Sequence, residues 1–446
     1  MTDAANRKLS LFDATMLVMG GILGIGIFFT PPEIAREVTH PGAYLAMWGL
    51  GALAALSGAM TFAELSAAYP RTGGWYVFLR EAFGPRTAFL FAWVVLLVVS
   101  TGACALVARF FSAQVGELAG LETTGELVVA AGIVLLVTGI GLAGLKSGAL
   151  FQNLCMVLKI AAVGTFIVFG LALFAEPAEA VAVAAADRTS TGLLDGMLGA
   201  SLSVLFSYGG WQLISYIAPA VQDPERNLPR AIVMGVAGVA VIYLLVNLAY
   251  LRVLGIGGMA AQTEQPMANR MAELALGANV GATFITAAMA VSALGFLVAT
   301  LITTPGIYVA MAREGLFLRA FGRMHPRTGA PVVALVTQCT LVLLYLAWSA
   351  FDPAHVDTLT GAVVFAEWIF HGLAGLALIL LARRLGPSRP FKSLWFPLFP
   401  ATYAALAAAI VVGNLAVTRP QVTMLGVGVL GLGWIVYWGW QKATAR

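Results

Sequence analysis

The sequence predicts an all-α membrane protein of about twelve transmembrane helices, the first and sixth of them broken at mid-span. Three observations carry this expectation. The 446 residues are 60% hydrophobic and only 10% charged, against roughly a quarter charged in an ordinary soluble domain. The mean hydropathy is +0.90. Apolar runs of the roughly 20 residues needed to cross a bilayer core recur along the whole chain, and two of them carry neighbouring glycines in their middle.

The first run, 12–38, follows Arg7 and Lys8. A signal peptide would share that start, but the run is too long for an h-region and no A-x-A-like site closes it, so it reads as a retained span. It contains "GGILGIGIFF", with Gly20, Gly21, Gly24 and Gly26. Gly20 and Gly24 form a G-x-x-x-G, which alone marks close helix packing more often than a break. Runs 42–68, 85–113, 125–145 and 148–174 follow. The second of the chain's runs ends near Glu64, which is expected at the inner membrane interface. The fifth carries Lys159 in "CMVLKIAAV", about 16 Å along the helix at 1.5 Å per residue and so near the middle of a core ~30 Å thick. A lysine at that depth costs roughly 2.5–3.5 kcal/mol to insert and needs a partner inside the bundle. Backbone carbonyls freed by a broken neighbour would supply one.

The sixth run, 198–221, holds "SYGGW", with Gly209 and Gly210 adjacent. Each glycine costs roughly 0.5–1 kcal/mol relative to alanine inside a helix, and packing rarely needs two small neighbours, so a break is the better reading here. Counting from span 1 to span 6 gives a repeat of five spans, an odd number, so spans 6–10 would repeat spans 1–5 upside down. On that pattern 1–446 forms one transmembrane domain, with 12–174 and 198–383 as inverted repeats and 394–441 adding two helices. Paired interruptions of this kind point to a transport site near the bilayer midplane. The remaining runs are 231–254, 279–312, 330–349, 358–383, 394–417 and 421–441. The tenth contains Glu367 with His371 one turn later on the same face. A static hydrogen bond between them is the simpler reading, and a proton-coupling pair the sharper one.

Lysine and arginine set the orientation. With a cytoplasmic N-terminus, the inner loops collect Arg71, Arg80, Arg86, Lys146, Arg226, Arg230, Arg313 and Lys442 among others, while the outer side keeps only Arg36, Arg109, Arg188, Arg252, Arg270 and Arg419. This asymmetry fits the positive-inside rule, with both termini cytoplasmic in a cell inner (plasma) membrane. The net charge of +4 then follows from topology and anionic lipid, with no nucleic-acid partner required. The longest polar connections, 175–197 and 384–393, are too short to bury a soluble core. Cys104, Cys155 and Cys339 lie in apolar runs and show no disulfide or metal-ligand spacing, so neither metal nor cofactor is expected. His40, His325, His355 and His371 are scattered, without an H-E-x-x-H motif, which argues against an enzyme. No ring of charged repeats suggests a channel.

Helix N-termini offer free N–H groups to a carboxylate and helix C-termini offer carbonyls to an ammonium, so a site made from two broken helices is matched to a zwitterion. Its lining is otherwise expected to be apolar, from Ile22, Ile25, Phe206, Tyr208 and Trp211. No acid in spans 1 or 6 would pair a cationic side chain. These features point to an α-amino acid with a neutral side chain.

The same residues resemble the amino acid-polyamine-organocation superfamily, in its L-type amino acid transporter branch. "GILGIGIF" is similar to that branch's G-S-G-I-F break, and "FSYGGW", Phe206 to Trp211, to its F-A-Y-G-G-W. "ELSAAYPRTGGWYVFLREAFGP", "DPERNLPRAI", "YVAMAREGLF", "TGAPVVAL" and "FAEW" extend the likeness over essentially the whole chain. The resemblance implies a LeuT-like 5+5 inverted-repeat fold that works by alternating access. It places the amides around Gly24, Ile25 and Gly26 on a substrate carboxylate, and the carbonyls of Ile22, Phe206 and Gly209 on its amine, with Ser207, Tyr208 and Gly210 completing the binding set. Phe206 and Trp211 become gating residues, Lys159 a contact to span 1, and Gln212 a tuner of side-chain selectivity. The chain departs from the branch at Ile25, where a small residue is usual, at Pro219 and Ala220, where acids are common, and at Gly306, where arginine is frequent. The implied function is sodium-independent transport of neutral L-amino acids by exchange or facilitated uptake. Proton-coupled amino acid or amine symport and a non-transporting sensor are the alternatives. Eukaryotic relatives pair with a single-span glycoprotein, but nothing in this sequence calls for an obligatory partner subunit.

Overall fold

Two helices that stop in mid-membrane organise the molecule. The computed structural model describes residues 8–173, 193–261, 267–351, 355–386, 389–417 and 420–444. Arg7, Arg188 and Arg419, and most of the connection 175–197, lie outside the described residues. In chain order the elements are α1 (Leu11–Ile22), α2 (Gly26–Glu37), α3 (Pro41–Ala68), α4 (Trp75–Phe83), α5 (Pro85–Ala119), α6 (Thr123–Leu142), α7 (Leu145–Leu173), α8 (Leu193–Ser207), a 3-10 segment (Trp211–Ala220), α9 (Pro224–Ala260), α10 (Met267–Leu276), α11 (Ala278–Arg313), α12 (Val332–Phe351), α13 (His355–Leu385), α14 (Leu398–Val417) and α15 (Pro420–Thr444). Among the described residues eight helices are long and apolar enough to cross a membrane, or nine with α1 and α2 taken as one bent span. The three further runs expected, 198–221, 394–417 and 421–441, are helical as α8 with its 3-10 continuation, α14 and α15. The short helices α4 and α10 sit in connections, each under three turns long, too brief for an apolar run to announce them.

A capping box starts α1: Ser10 Oγ accepts from the Asp13 amide at 3.1 Å, and Asp13 Oδ2 accepts from the Ser10 amide at 2.9 Å. The same carboxylate takes Lys146 Nζ at 2.5 Å and Asn153 Nδ2 at 2.7 Å, tying the start of α1 to α7. The helix ends at Ile22. Leu23, at φ −72° and ψ 72°, forms an inverse γ-turn, closed by the Gly24 amide on the Ile22 carbonyl at 2.7 Å. α2 then leaves at 42° to α1, and Pro31 and Pro32 within it deprive two carbonyls of the preceding turn of their donors.

The second break follows Ser207. Gly210 sits at φ +118°, and a Cβ there would lie 2.2 Å from the Gly21 carbonyl oxygen. The two interruptions therefore meet backbone against backbone, and only glycine fits. Gly20 has a different task. Its missing side chain makes room for the Gln152 amide of α7, so the packing and break readings of the glycines hold at different residues. Beyond Gly210 the chain runs on in 3-10 turns over Trp211–Ala220, kinked at Ile217, where φ −116° and ψ 25° leave the helical region. It is clasped on both sides: the Gly73 amide donates to Tyr216 O at 2.8 Å, and a Cβ at Gly306 would come within 2.3 Å of the same oxygen. That contact explains why Gly306 carries no side chain.

α1 packs on the 3-10 segment and α2 on α8, while α9 lies across α1 and α3, and α11 across α5 and α7. The α1 half of the bundle is tied across by the chain before α1. Leu9 pairs with the chain at Val221, its amide on Ala220 O at 2.8 Å and its carbonyl taking the Gln222 amide at 2.9 Å. Glu64, near the end of α3, is fully buried, because the segment 389–393 folds over it and supplies the Arg389 guanidinium and the Ser393 amide, the latter at 2.8 Å.

Gly210→Ala is expected to lower the melting temperature of the detergent-purified protein, since a left-handed non-glycine residue costs about 1–3 kcal/mol before the clash with Gly21 is added. Gly209→Ala, where the added Cβ meets only the Phe206 carbonyl at 3.6 Å, is expected to shift it much less. Thermal unfolding of the two variants side by side is the check.

Candidate functional site

Between the breaks lies a cavity of about 610 Å³. Ile22, Gly24, Ile25 and Gly26 line it from the first break, and Phe206, Ser207, Gly209, Gly210, Trp211 and Gln212 from the second. Glu367 and His371 of α13 face it as well. Of the residues singled out from sequence, Tyr208 and Lys159 do not line it. Tyr208 is buried behind the second break, its hydroxyl donating to Trp48 O at 3.1 Å and its ring packed on Trp48 and Tyr243.

Lys159 acts on the backbone. Its Nζ is buried and donates to Leu23 O at 2.7 Å and, more distantly, to Gly20 O at 3.5 Å. Gly295 leaves the space its side chain needs. Two further residues share this work and were not apparent from the sequence. Ser292 Oγ of α11 donates to Gly24 O at 2.9 Å. The Tyr243 hydroxyl of α9 lies 3.1 Å from Ile22 O and 3.0 Å from Ser207 O, joining the ends of both broken helices. A helix end leaves its last carbonyls unsatisfied, and water is not available to them in a membrane core. Here Lys159, Tyr243, Ser292 and the Gly24 amide supply the donors. An intramembrane tyrosine and serine carry no spacing signal that would have singled them out.

This accounting divides the carboxylate and amine groups expected from sequence. The Gly24 amide and the Ile22 carbonyl are engaged within the break. Phe206 O accepts the Gly209 amide at 3.3 Å. The groups left facing the cavity are the first amides of α2, at Ile25 and Gly26, and the backbone past the end of α8, at Gly209.

The lining is mostly apolar, as expected, and carries a smaller set of polar residues. One end is apolar: Phe29, Val107, Phe110 and Phe206 gather where α2 meets α8, with Phe29 edge-on to Phe110 at 5.1 Å. Phe206 is 47% exposed, so the cavity is open on this side. The other end is polar, with Ser100 from α5, Thr300 and Thr304 from α11, and Gln212, Glu367 and His371. Ser100, Thr300 and Thr304 come from α5 and α11, outside the two broken spans from which the lining was read.

Glu367 and His371 do not form the static hydrogen bond that their spacing suggests, as Nε2 and Oε1 stand 3.7 Å apart. Each has another partner. Glu367 Oε1 accepts from Gln212 Nε2 at 2.9 Å, and Gln212 Oε1 in turn accepts from the Gly210 amide at 3.2 Å, linking the carboxylate to the second break. His371 Nδ1 bonds the Tyr403 hydroxyl, and its ring is surrounded by Trp75, Trp211 and Trp368.

Two interrupted helices meeting over a central cavity, within a bundle of membrane-crossing helices, define a secondary carrier of LeuT-like fold. A family model for amino acid permeases matches residues 9–439, and the chain belongs to that family. Among its relatives are the serine/threonine exchanger SteT of Bacillus subtilis, 28% identical over 99% of both chains, and the b(0,+)-type amino acid transporter 1 of Mus musculus, 27% identical over 100% of this chain and 91% of the relative. The large neutral amino acids transporter small subunit 2 of Mus musculus is 27% identical over 97% of this chain and 81% of its own. The family consists of membrane transporters, not enzymes.

Lys159→Ala is expected to leave a monodisperse protein that transports at least about tenfold more slowly, since it strips a charge-assisted bond worth roughly 1.5–3 kcal/mol from the carbonyls that shape the break. Size-exclusion chromatography and uptake into proteoliposomes check the two halves of this expectation. Wild-type turnover in the variant would remove Lys159 from the mechanism.

Proposed function

We propose that the protein exchanges neutral L-amino acids across the cytoplasmic membrane by alternating access, without sodium and without an obligatory partner subunit. The observation that carries this reading is the Lys159 ammonium seated on the carbonyls of Leu23 and Gly20. It puts a fixed cation where the end of a broken helix would otherwise attract a mobile one. The substrate carboxylate binds the amides of Ile25 and Gly26 at the start of α2, where the helix dipole favours a negative charge. The ammonium binds the carbonyl of Gly209 beyond the end of α8. Ile25 narrows the entrance to the carboxylate subsite, and the exposed ring of Phe206 closes over the ligand from the open end.

In this reading 12–174 and 198–383 are the inverted repeats, and both termini face the cytoplasm. The state described is then open to the outside, because the Leu9–Val221 pairing ties the opposite half across. Exchange is supported by the activity in the name of the SteT relative, and a neutral substrate by the name of the large neutral amino acid transporter.

Purified protein alone in proteoliposomes is expected to take up labelled neutral amino acid only when the lumen contains unlabelled amino acid, and to do so equally in sodium and choline. Collapse of uptake in choline overturns sodium independence. Uptake driven by an imposed pH gradient without internal substrate would favour the proton-coupled alternative through Glu367 and His371. Phe206→Ala is expected to cut uptake about tenfold or more, since covering a ligand with a phenylalanine is worth roughly 1.5–3 kcal/mol, while folded yield changes little. Parallel loss of yield and uptake would assign Phe206 to packing.

A further inference from the structure

The start of α5 and the end of α15 pack together outside the central cavity. Gly433 of α15 is pressed on α5, where an added Cβ would lie 2.7 Å from the Trp93 indole and 3.1 Å from Leu90. The rings of Phe89 and Tyr437 meet at 5.3 Å, so the two helix ends are fixed side by side. Each end brings one cation to an exposed tryptophan of α15. The Arg86 guanidinium sits over Trp434 at 4.8 Å, and Lys442 Nζ over Trp438 at 3.5 Å. The two indoles are 50% and 59% exposed and lie one turn apart on the same face.

Neither cation has a carboxylate. On the same side of the bundle Arg71, Arg80, Lys146 and Arg389 pair with Glu81, Glu314, Asp13 and Glu64, whereas among the described residues no acid comes within ion-pairing distance of Arg86 or Lys442. The start of α5 adds a second attraction for an anion. Pro85 follows Gly84 there without a side-chain cap, so the amides of Arg86 and Thr87 have no acceptor within the helix, and the helix dipole favours negative charge. Two cations held on aromatic rings beside an uncapped helix start describe a site for a phosphate, whose oxygens suit the planar guanidinium of arginine.

The rest of the face says which phosphate. Val427 and Gly431 are exposed on the same side of α15 as Trp434, and an added Cβ at Gly431 would meet nothing within 4 Å. This leaves an apolar notch one turn deeper than the indole, which a free phosphate would not use and an acyl chain would fill. We propose that α5 and α15 form a binding site for an anionic phospholipid. Arg86, Lys442 and the first amides of α5 hold its phosphate, while an acyl chain packs over Trp434 and Gly431. Tryptophan settles at the headgroup level of a bilayer, and basic residues at that level attract acidic lipids. Here the indole faces keep the cations in place for them. With both termini cytoplasmic, the lipid lies in the inner leaflet. The site is independent of what the central cavity carries.

Native mass spectrometry of the detergent-purified protein, titrated with phosphatidylglycerol or with phosphatidylcholine of the same acyl chains, tests the site. The wild-type protein is expected to bind phosphatidylglycerol about tenfold or more tightly than phosphatidylcholine, as two basic residues at an anionic headgroup imply, and to gain melting temperature from the acidic lipid alone. Arg86→Gln with Lys442→Gln is expected to bring the two lipids to equal affinity. Arg319→Gln with Arg323→Gln removes the same charge from two exposed residues that stack on no ring among the described residues, and is expected to keep the preference. Equal binding of both lipids by the wild-type protein overturns the proposal, as does a preference that survives in Arg86→Gln with Lys442→Gln. Equal loss in the Arg319 and Arg323 pair overturns it in favour of diffuse attraction to the basic surface. Inorganic phosphate that raises the melting temperature as far as phosphatidylglycerol does overturns the lipid as the source of the phosphate.

Discussion

A helix that stops inside a membrane must satisfy its own freed backbone groups, and most of this structure can be read from that constraint. Water cannot serve the carbonyls that α1 abandons at Gly20, Ile22, Leu23 and Gly24. They are met by the ammonium of Lys159, the hydroxyls of Tyr243 and Ser292 and the amide of Gly24. The side-chain donors come from α7, α9 and α11, so the break dictates which helices surround α1 and which residues they present to it. The cost of burying a lysine and the cost of breaking a helix are each high alone, and each is offset by the other.

The second break obeys the same rule with different means. Its backbone is brought against the first at Gly21 and Gly210, where any side chain would collide, and Tyr243 links the ends of both helices through one hydroxyl. The kinked 3-10 segment that follows is held by backbone contacts from the α3–α4 turn and from α11. Among the described residues the first amides of α2 and the carbonyl of Gly209 have no backbone partner, and these residues line the cavity.

The two halves of the bundle differ in how they close. At the α1 half, a capped helix start is pinned to α7 by Asp13 with Lys146 and Asn153, and Leu9 pairs with the chain at Val221. These are directional polar contacts, which break as a unit. At the α2–α8 half the boundary is aromatic, with Phe29, Phe110 and an exposed Phe206. Ring contacts of that kind tolerate rearrangement without stranding a polar group, which suits a surface that must open and close on each cycle.

The sequence by itself determined the class, the helix order and the two breaks. Composition and apolar runs are properties of segments, and adjacent glycines at mid-span are costly enough to stand out locally. Lys159 was legible for the same reason, as a charge too deep to lack a partner. Tertiary structure alone decided which glycine packs and which breaks, since Gly20 and Gly21 differ only in whether they meet a side chain of α7 or the backbone at Gly210. It also brought Ser100, Thr300, Thr304 and Glu367 into one wall from three helices remote in sequence. It gave Glu367 and His371 hydrogen-bond partners other than each other, although their i,i+4 spacing had paired them, and turned Tyr208 away from the cavity. A side chain's depth in the membrane follows from its position along a helix. The partner it meets depends on the rotation of that helix against its neighbours, which is set by packing and not by any local pattern.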